Sequence, residues 1–213
     1  MSGRRGRGCG FGLVLAIFLV GMTWGMLYPF LARQVPVVSD VVVIEGWMKD
    51  DLLVQAAGWA ESNGVKKIFT TGGPIELGSW LAEWKSYAEL SKVRLEKKGF
   101  GEKFEIVAVP AEKVRRGRTR ASARALKAAM GMERGSFNLI SEGPHMRRSW
   151  RSFQGIFGDG VEVGCWALTP VEYDRTDWWS CSEGVRDVIA ETIAYGYDVV
   201  AGGREGRELR IKN

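Results

Sequence analysis

The chain has 213 residues, of which 46% are hydrophobic and 26% are charged, and these proportions fit one globular domain plus a short additional segment. They exclude a disordered, collagen-like or coiled-coil protein. The net charge of +5 does not indicate a nucleic-acid partner, because four of the five charges are on Arg4, Arg5, Arg7 and Arg33, which leaves residues 34–213 nearly neutral.

The first element is an apolar segment that carries no charged residue from Gly8 to Ala32. It is long enough for a helix across a bilayer, and the arginines before it are typical of a cytoplasmic end. We therefore predict a cytoplasmic basic tail at 1–10 and a transmembrane signal-anchor helix at 11–33, with the rest of the chain on the outer face. A cleaved signal peptide is the alternative, but the run is long for one and no clean cleavage motif follows it.

Strands and helices are predicted to alternate through residues 36–201. Apolar, β-branched runs indicate strands, amphipathic runs indicate helices, and glycine or proline ends most of them. Thr119 is the predicted N-cap of the third helix, and 202–213 is predicted to be a polar, frayed tail. In chain order, the elements are a strand at 37–44, a helix at 50–61, a strand at 67–71, a helix at 79–98, a strand at 104–109, a helix at 119–130, a strand at 137–141, a helix at 144–157, a strand at 161–168 and a helix at 183–200.

This alternation is typical of the α/β class. The predicted fold is a Rossmann-like three-layer domain with a mainly parallel sheet of about five strands, preceded by one transmembrane helix. The aromatic residues near the end of the domain are predicted to pack in the core, with contact to a membrane surface as the alternative. These residues are Trp166, Tyr173, Trp178 and Trp179.

The three cysteines and the single histidine do not form a metal motif, and we predict no metal site. Cys9 precedes the apolar run, whereas a lipoprotein cysteine ends one. The sequence leaves open whether Cys165 and Cys181 form a disulfide.

Glycine and charged residues follow the predicted strands, at the edge where open parallel sheets bind ligands. Glycine lets a backbone N–H approach a ligand, and arginine can bind phosphate or carboxylate with two hydrogen bonds, so an anionic ligand is expected. The predicted ligand-binding residues are Gly46, Thr71, Gly72, Gly73, Arg118, Thr119, Ser122, His145 and Arg148.

Two residues at these strand ends are candidates for catalysis. Glu45 ends a buried strand and is a candidate general base or metal contact, and His145 follows Pro144 at the start of a helix whose free N–H groups favour an anion. The other candidates also have explanations that involve no ligand. Thr119 and Ser122 could serve simply to cap a helix, and the arginines near His145 could form the solvated face of a helix. No GxGxxG, Walker, GxSxG or HExxH motif is present, which weakens the case for a dinucleotide, and the sequence leaves the cofactor unknown.

Four motifs in order resemble the YdcF/SanA/ElyC-type family, also described as domain of unknown function 218. They are Val-Val-Val-Ile-Glu-Gly-Trp, Thr-Thr-Gly-Gly-Pro, Arg-Thr-x-x-Ser-Ala and Gly-Pro-His-Met-Arg-Arg-Ser, and the resemblance covers about 38–200. Glu-Gly-Trp replaces the family's usual glycine-rich turn, and the Trp178-Trp179 pair is similar to a variant branch.

The resemblance implies a bacterial protein of the inner membrane with its C-terminal domain in the periplasm and a role in envelope biogenesis. It implies a binding crevice made of Glu45, Gly72, Gly73, Arg118, Thr119, Ser122, His145 and Arg148. The expected partners are the membrane, an anionic or lipid-linked ligand and envelope-assembly proteins, and no nucleic acid. A lipid-carrier phosphate or sugar phosphate is the first expected ligand. The alternatives are a transferase that binds a nucleotide-type cofactor and a non-enzymatic scaffold of envelope machinery.

Overall fold

The computed structural model describes residues 6–76 and 83–211, and it gives the surroundings of individual residues at 12, 18, 21–76 and 83–200. The elements in chain order are α1 (Gly6–Leu31), β1 (Gln34–Val35), β2 (Val41–Glu45), α2 (Asp50–Ser62), β3 (Lys67–Gly72), α3 (Tyr87–Lys97), β4 (Glu105–Pro110), α4 (Arg118–Met130), β5 (Gly135–Glu142), α5 (Met146–Phe157), β6 (Val161–Leu168) and α6 (Ser182–Ile211). Short 3-10 turns lie at Phe100–Glu102, Gly143–His145 and Trp178–Ser180.

One sheet of six strands organises the domain, in the order β1-β6-β5-β2-β3-β4. All neighbouring pairs are parallel except β1 with β6. The predicted α/β class and mainly parallel sheet are therefore confirmed. The chain leaves β2 toward β3 on one side and later returns to β5 on the other, so the carboxyl ends of β2 and β5 form the switch point where ligands bind in such sheets.

Two hydrophobic layers cover the two faces of the sheet, because successive side chains of a strand point to opposite faces. Val42 and Ile44 of β2 face a cluster that contains α2 and Leu95 of α3. Val43, between them, faces the cluster built from α4 and α5. The result is the predicted three-layer arrangement.

A third cluster joins the end of α1 to the start of α6. Tyr28 and Leu31 pack with Tyr173, Trp178 and Val188. Trp24 also stacks on Trp178, with ring centroids 4.9 Å apart. The prediction of core packing is correct for Trp178 and Tyr173, but Trp179 is 46% exposed.

The first predicted strand is shorter than expected and a sixth strand was missed. Residues 37–40 form no strand, and side chains replace the ladder there. The Asn138 amide donates to the Val37 carbonyl and accepts from the Val37 N–H, both at 2.8 Å, and Ser136 Oγ donates to the Val38 carbonyl at 2.9 Å. The missed strand, β1, has only two residues, too few to give a periodic pattern.

Helix boundaries differ from the predictions at several places. α5 begins at Met146, after the 3-10 turn at Gly143–His145, and not at the predicted Pro144. α3 begins at Tyr87, because Ser86 and Glu89 form a capping box, and the predicted helical residues 79–82 lie outside the described part of the chain. α4 is capped by Gly117 with φ of +69°, and Thr119 is already inside the helix, so the predicted Thr119 cap is wrong. α6 continues to Ile211, and the segment predicted as a frayed tail from residue 202 is helical up to that point.

Among the described residues, no helix combines the length and the apolar character needed to cross a membrane. Cys165 and Cys181 are both free thiols. Burial raises the pKa of the Cys165 thiol to about 11.

Candidate functional site

A crevice of about 1010 Å³ opens at the carboxyl ends of β2, β3 and β4, between the start of α4 and the start of α5. It brings together Glu45 and eight of the nine predicted ligand-binding residues. Those eight are Thr71, Gly72, Gly73, Arg118, Thr119, Ser122, His145 and Arg148.

Gly46 is the predicted residue that does not line this crevice. A Cβ atom at Gly46 would lie 2.4 Å from the Tyr87 carbonyl oxygen and 2.5 Å from Ser91 Oγ. Close packing of the end of β2 against α3 therefore explains the glycine at this position, and its role in ligand binding stays a prediction. Gly73 differs, because the nearest atom to its Cβ position is 4.0 Å away.

One wall of the crevice is basic. It consists of the loop between β4 and α4 and the first turns of α4, and Gly117 lets the loop turn sharply into the helix. N–H groups in the first turn of a helix have no intrahelical acceptor, and the helix dipole makes this end positive. The cations of this basic wall are Lys113, Arg115, Arg116, Arg118, Arg120 and Arg124.

The guanidinium of Arg118 is the member of the basic wall that the sequence predicted to contact a ligand. Its side chain is 77% exposed, and its Nη1 lies 4.0 Å from Glu76 Oε2. So long a contact holds the guanidinium weakly, which leaves it able to turn toward an anion.

The opposite wall, which we call the acidic wall, is built from Glu45, His145, Arg148, Glu191 and Asp198. Glu45 is only 3% exposed. Its Oε2 accepts hydrogen bonds from two serine hydroxyls, Ser141 of β5 and Ser149 of α5, the second at 2.9 Å. These donors replace the water that a carboxylate loses on burial.

His145 lies between two carboxylates of the acidic wall. Its Nδ1 is 2.8 Å from Glu191 Oε1, whereas its Nε2 is 3.7 Å from Glu45 Oε2, which is too long for a hydrogen bond. The Trp47 ring and the imidazole pack in a T-shaped arrangement, with ring centroids 5.1 Å apart. The imidazole is thus held on one side while its Nε2 edge is within reach of the crevice.

Glu191 of α6 was not predicted. Arg148 donates from Nε to Glu191 Oε2 at 2.8 Å and from Nη2 to Oε1 at 2.9 Å. Burial alone raises the pKa of Glu191, but the hydrogen bonds from His145 and Arg148 outweigh it and lower the pKa to about 2. Glu191 is therefore an anion at neutral pH.

The described residues contain no group of three or more His, Cys, Asp or Glu side chains that could hold a metal ion. What the crevice offers is a basic wall suited to an anionic group and an acidic wall that presents one imidazole nitrogen. No protein family, curated protein or solved structure matches this chain.

Proposed function

We propose that this chain is a membrane-anchored, periplasm-facing protein of cell-envelope biogenesis that binds a phosphate-bearing ligand in the crevice. The observation that carries the proposal is the basic wall, where arginines and the start of α4 converge on one side of the crevice. The uncharged run at 8–32, with arginines before it, supports the anchor, and the resemblance of the motifs supports the role in the envelope.

A phosphate group fits the basic wall for two physical reasons. The positive end of α4, which has 13 residues, favours an anion, and backbone N–H groups there can donate to phosphate oxygens. Arg118 can add a bidentate, charge-assisted pair of hydrogen bonds. Lipid-carrier phosphates and sugar phosphates share this phosphate chemistry.

The test is calorimetric titration of the full chain in detergent with inorganic phosphate, glucose 1-phosphate and a polyprenyl phosphate, using the polyprenol as the unphosphorylated control. We expect the phosphates to bind and the polyprenol not to bind. A charge-assisted hydrogen bond contributes about 1.5–3 kcal/mol, so Arg118→Ala should weaken phosphate binding about tenfold or more.

Arg151→Ala is the matched control, because Arg151 is an exposed arginine of α5 that does not line the crevice. Its affinity for phosphate should equal that of the unaltered chain. Equal affinities for Arg118→Ala and the unaltered chain would contradict the proposed role of the basic wall.

A further inference from the structure

Charge divides the crevice into two halves that suit different groups. The acidic wall holds three carboxylates, on Glu45, Glu191 and Asp198, against the single guanidinium of Arg148. Because Arg148 balances only one of these three negative charges, the acidic wall repels an anionic ligand group at close range. A phosphate is therefore directed to the basic wall, and a neutral polar group fits beside His145.

The proton of His145 decides what its Nε2 can do. Nδ1 lies 2.8 Å from Glu191 Oε1 and 2.9 Å from Arg148 Nη2. One nitrogen cannot donate to the first and accept from the second, and an arginine can only donate. The two contacts thus imply opposite tautomers.

The carboxylate decides between them. An imidazole lone pair at 2.8 Å from an anionic oxygen would be strongly repelled, whereas an Nδ1–H group there makes a charge-assisted hydrogen bond. Arg148 gives up its contact with Nδ1 in this tautomer, but it keeps its two hydrogen bonds to Glu191, from Nε at 2.8 Å and from Nη2 at 2.9 Å. The neutral imidazole therefore carries its hydrogen on Nδ1 and leaves the Nε2 lone pair free to accept.

We propose that the acidic wall binds the hydroxyl group of a sugar phosphate, which donates to His145 Nε2, while Glu191 is the positioning residue that keeps the imidazole hydrogen on Nδ1. This inference rests on the proposed function in assigning the phosphate of the same ligand to the basic wall.

The chain offers a direct test, because His145 is its only histidine. The full chain, labelled with ¹⁵N-histidine, kept in detergent and purified through a histidine-free tag, would give one pair of imidazole ¹⁵N resonances. At the alkaline end of a pH titration we expect Nδ1 in the protonated region of the spectrum and Nε2 in the unprotonated region. The reverse pattern would overturn the proposal without any variant.

Two substitutions separate positioning from mere packing. In Glu191→Ala, the remaining neighbour of Nδ1 is the donor Arg148, so the tautomer should reverse to Nε2–H. In Glu191→Gln, the amide oxygen can still accept from Nδ1, so the original tautomer should return. Glu183→Ala alters a half-exposed acid on the same helix that does not line the crevice, and it should leave the spectrum unchanged. An unreversed tautomer in folded Glu191→Ala would refute the role of Glu191.

Ligand titrations test the hydroxyl assignment separately. Glucose 1-phosphate should shift the Nε2 resonance, and inorganic phosphate, which lacks the sugar hydroxyls, should not. If glucose 1-phosphate binds by calorimetry and leaves Nε2 unmoved, the inference fails and the proposed function stands. If neither phosphate binds, the proposed function and the hydroxyl assignment both fail, and the tautomer still decides the role of Glu191.

Discussion

Glu191 shows how one buried carboxylate can organise several side chains. It accepts two hydrogen bonds from Arg148 and one from His145, and it joins α6 to the turn that follows β5. The hydrogen bonds stabilise the anion more than burial destabilises it, and the pKa falls to about 2. The folded state is therefore stabilised by the ionised form of this residue.

The pH dependence of stability follows from that shift. The usual glutamate pKa of 4.5 becomes about 2 in the folded protein, which corresponds to roughly 3 kcal/mol. Because the folded pKa is depressed, this contribution is complete above about pH 4.5 and is lost as the pH falls toward 2. Glu191→Gln should lower the free energy of unfolding by roughly 3 kcal/mol at neutral pH. The difference in unfolding free energy between this variant and the unaltered protein should shrink as the pH falls from about 4.5 toward 2.

Urea unfolding of the full chain in detergent at a series of pH values measures this difference. Glu183→Gln is the control on the same helix. The Glu183 side chain is 47% exposed, so its substitution should change stability much less than that of Glu191 at every pH. A difference between Glu191→Gln and the unaltered protein that is constant with pH would show that Glu191 acts by packing and not by its charge.

The sequence predicted much of the crevice but not what holds His145 in place. Residues directly after strands could be identified, because parallel strands end at one edge, and this led to Glu45, Thr71 and His145. Glu191 lies in the middle of a helix, 43 positions after Arg148, and no local pattern marks it. The sequence from Lys113 to Arg124 is rich in basic residues and is a visible signal of the basic wall. Only Arg118 of these basic residues was among the predicted site residues.

At the level of elements, the ends of β2 and β3 lie directly against the start of α3. The Gly46 N–H donates to the Thr71 carbonyl at 2.7 Å, and the Tyr87 N–H donates to the Gly73 carbonyl at 3.0 Å. A Cβ atom at Gly72 would approach Tyr87 Cβ to 2.7 Å. These glycines bring the helix close enough to close one end of the crevice.

Alanine substitutions should distinguish a glycine that is required for close packing from one that has space around it. Gly46→Ala places a methyl group on the Tyr87 backbone, so it should destabilise the protein by about 1–3 kcal/mol. Gly73→Ala has room for its methyl and should change stability by less than about 0.5 kcal/mol. Urea unfolding measures both variants, and equal losses would contradict this explanation of Gly46.

Among the strands, the predictions were most accurate for β6 and β3. The predicted strand at 161–168 coincides with β6, and the one at 67–71 differs from β3 by one residue. Errors arose where side chains act on the backbone, as at Asn138 beside Val37, or where a capping box moves a helix start to Tyr87. The capping box could have been read from Ser86 and Glu89, whereas the partner of Asn138 could not.

At the scale of the whole molecule, the described end of α1 is part of the domain. Tyr28 and Leu31 are buried against Tyr173, Trp178 and Val188. The phenol oxygen of Tyr28 lies 2.6 Å from the Cβ position of Gly143, in the turn that carries His145. The proposed anchor thus meets the domain at the same edge of the sheet as the crevice.

The proposed topology makes a prediction for the full chain in bacterial cells. The protein should remain in the membrane fraction after an alkaline carbonate wash, and a reporter fused after Asn213 should be active in the periplasm. An arginine at the centre of a membrane helix costs about 2.5–3.5 kcal/mol, so Val14→Arg with Ile17→Arg should shift protein out of the carbonate-resistant fraction. A cytoplasmic reporter, or release of the unaltered chain without detergent, would refute the topology.

Only Ala32 and Arg33 separate α1 from β1, so the connection between them is too short to act as a flexible linker. A protein tethered by a long flexible linker can sample many heights and tilts above a bilayer, but a two-residue connection next to buried aromatic contacts removes that freedom. If α1 spans the membrane, the mouth of the crevice has one fixed orientation toward the lipid surface. A membrane-bound ligand would then reach the crevice by lateral diffusion of the ligand and the whole protein within the bilayer, and the domain would not reorient to meet the ligand.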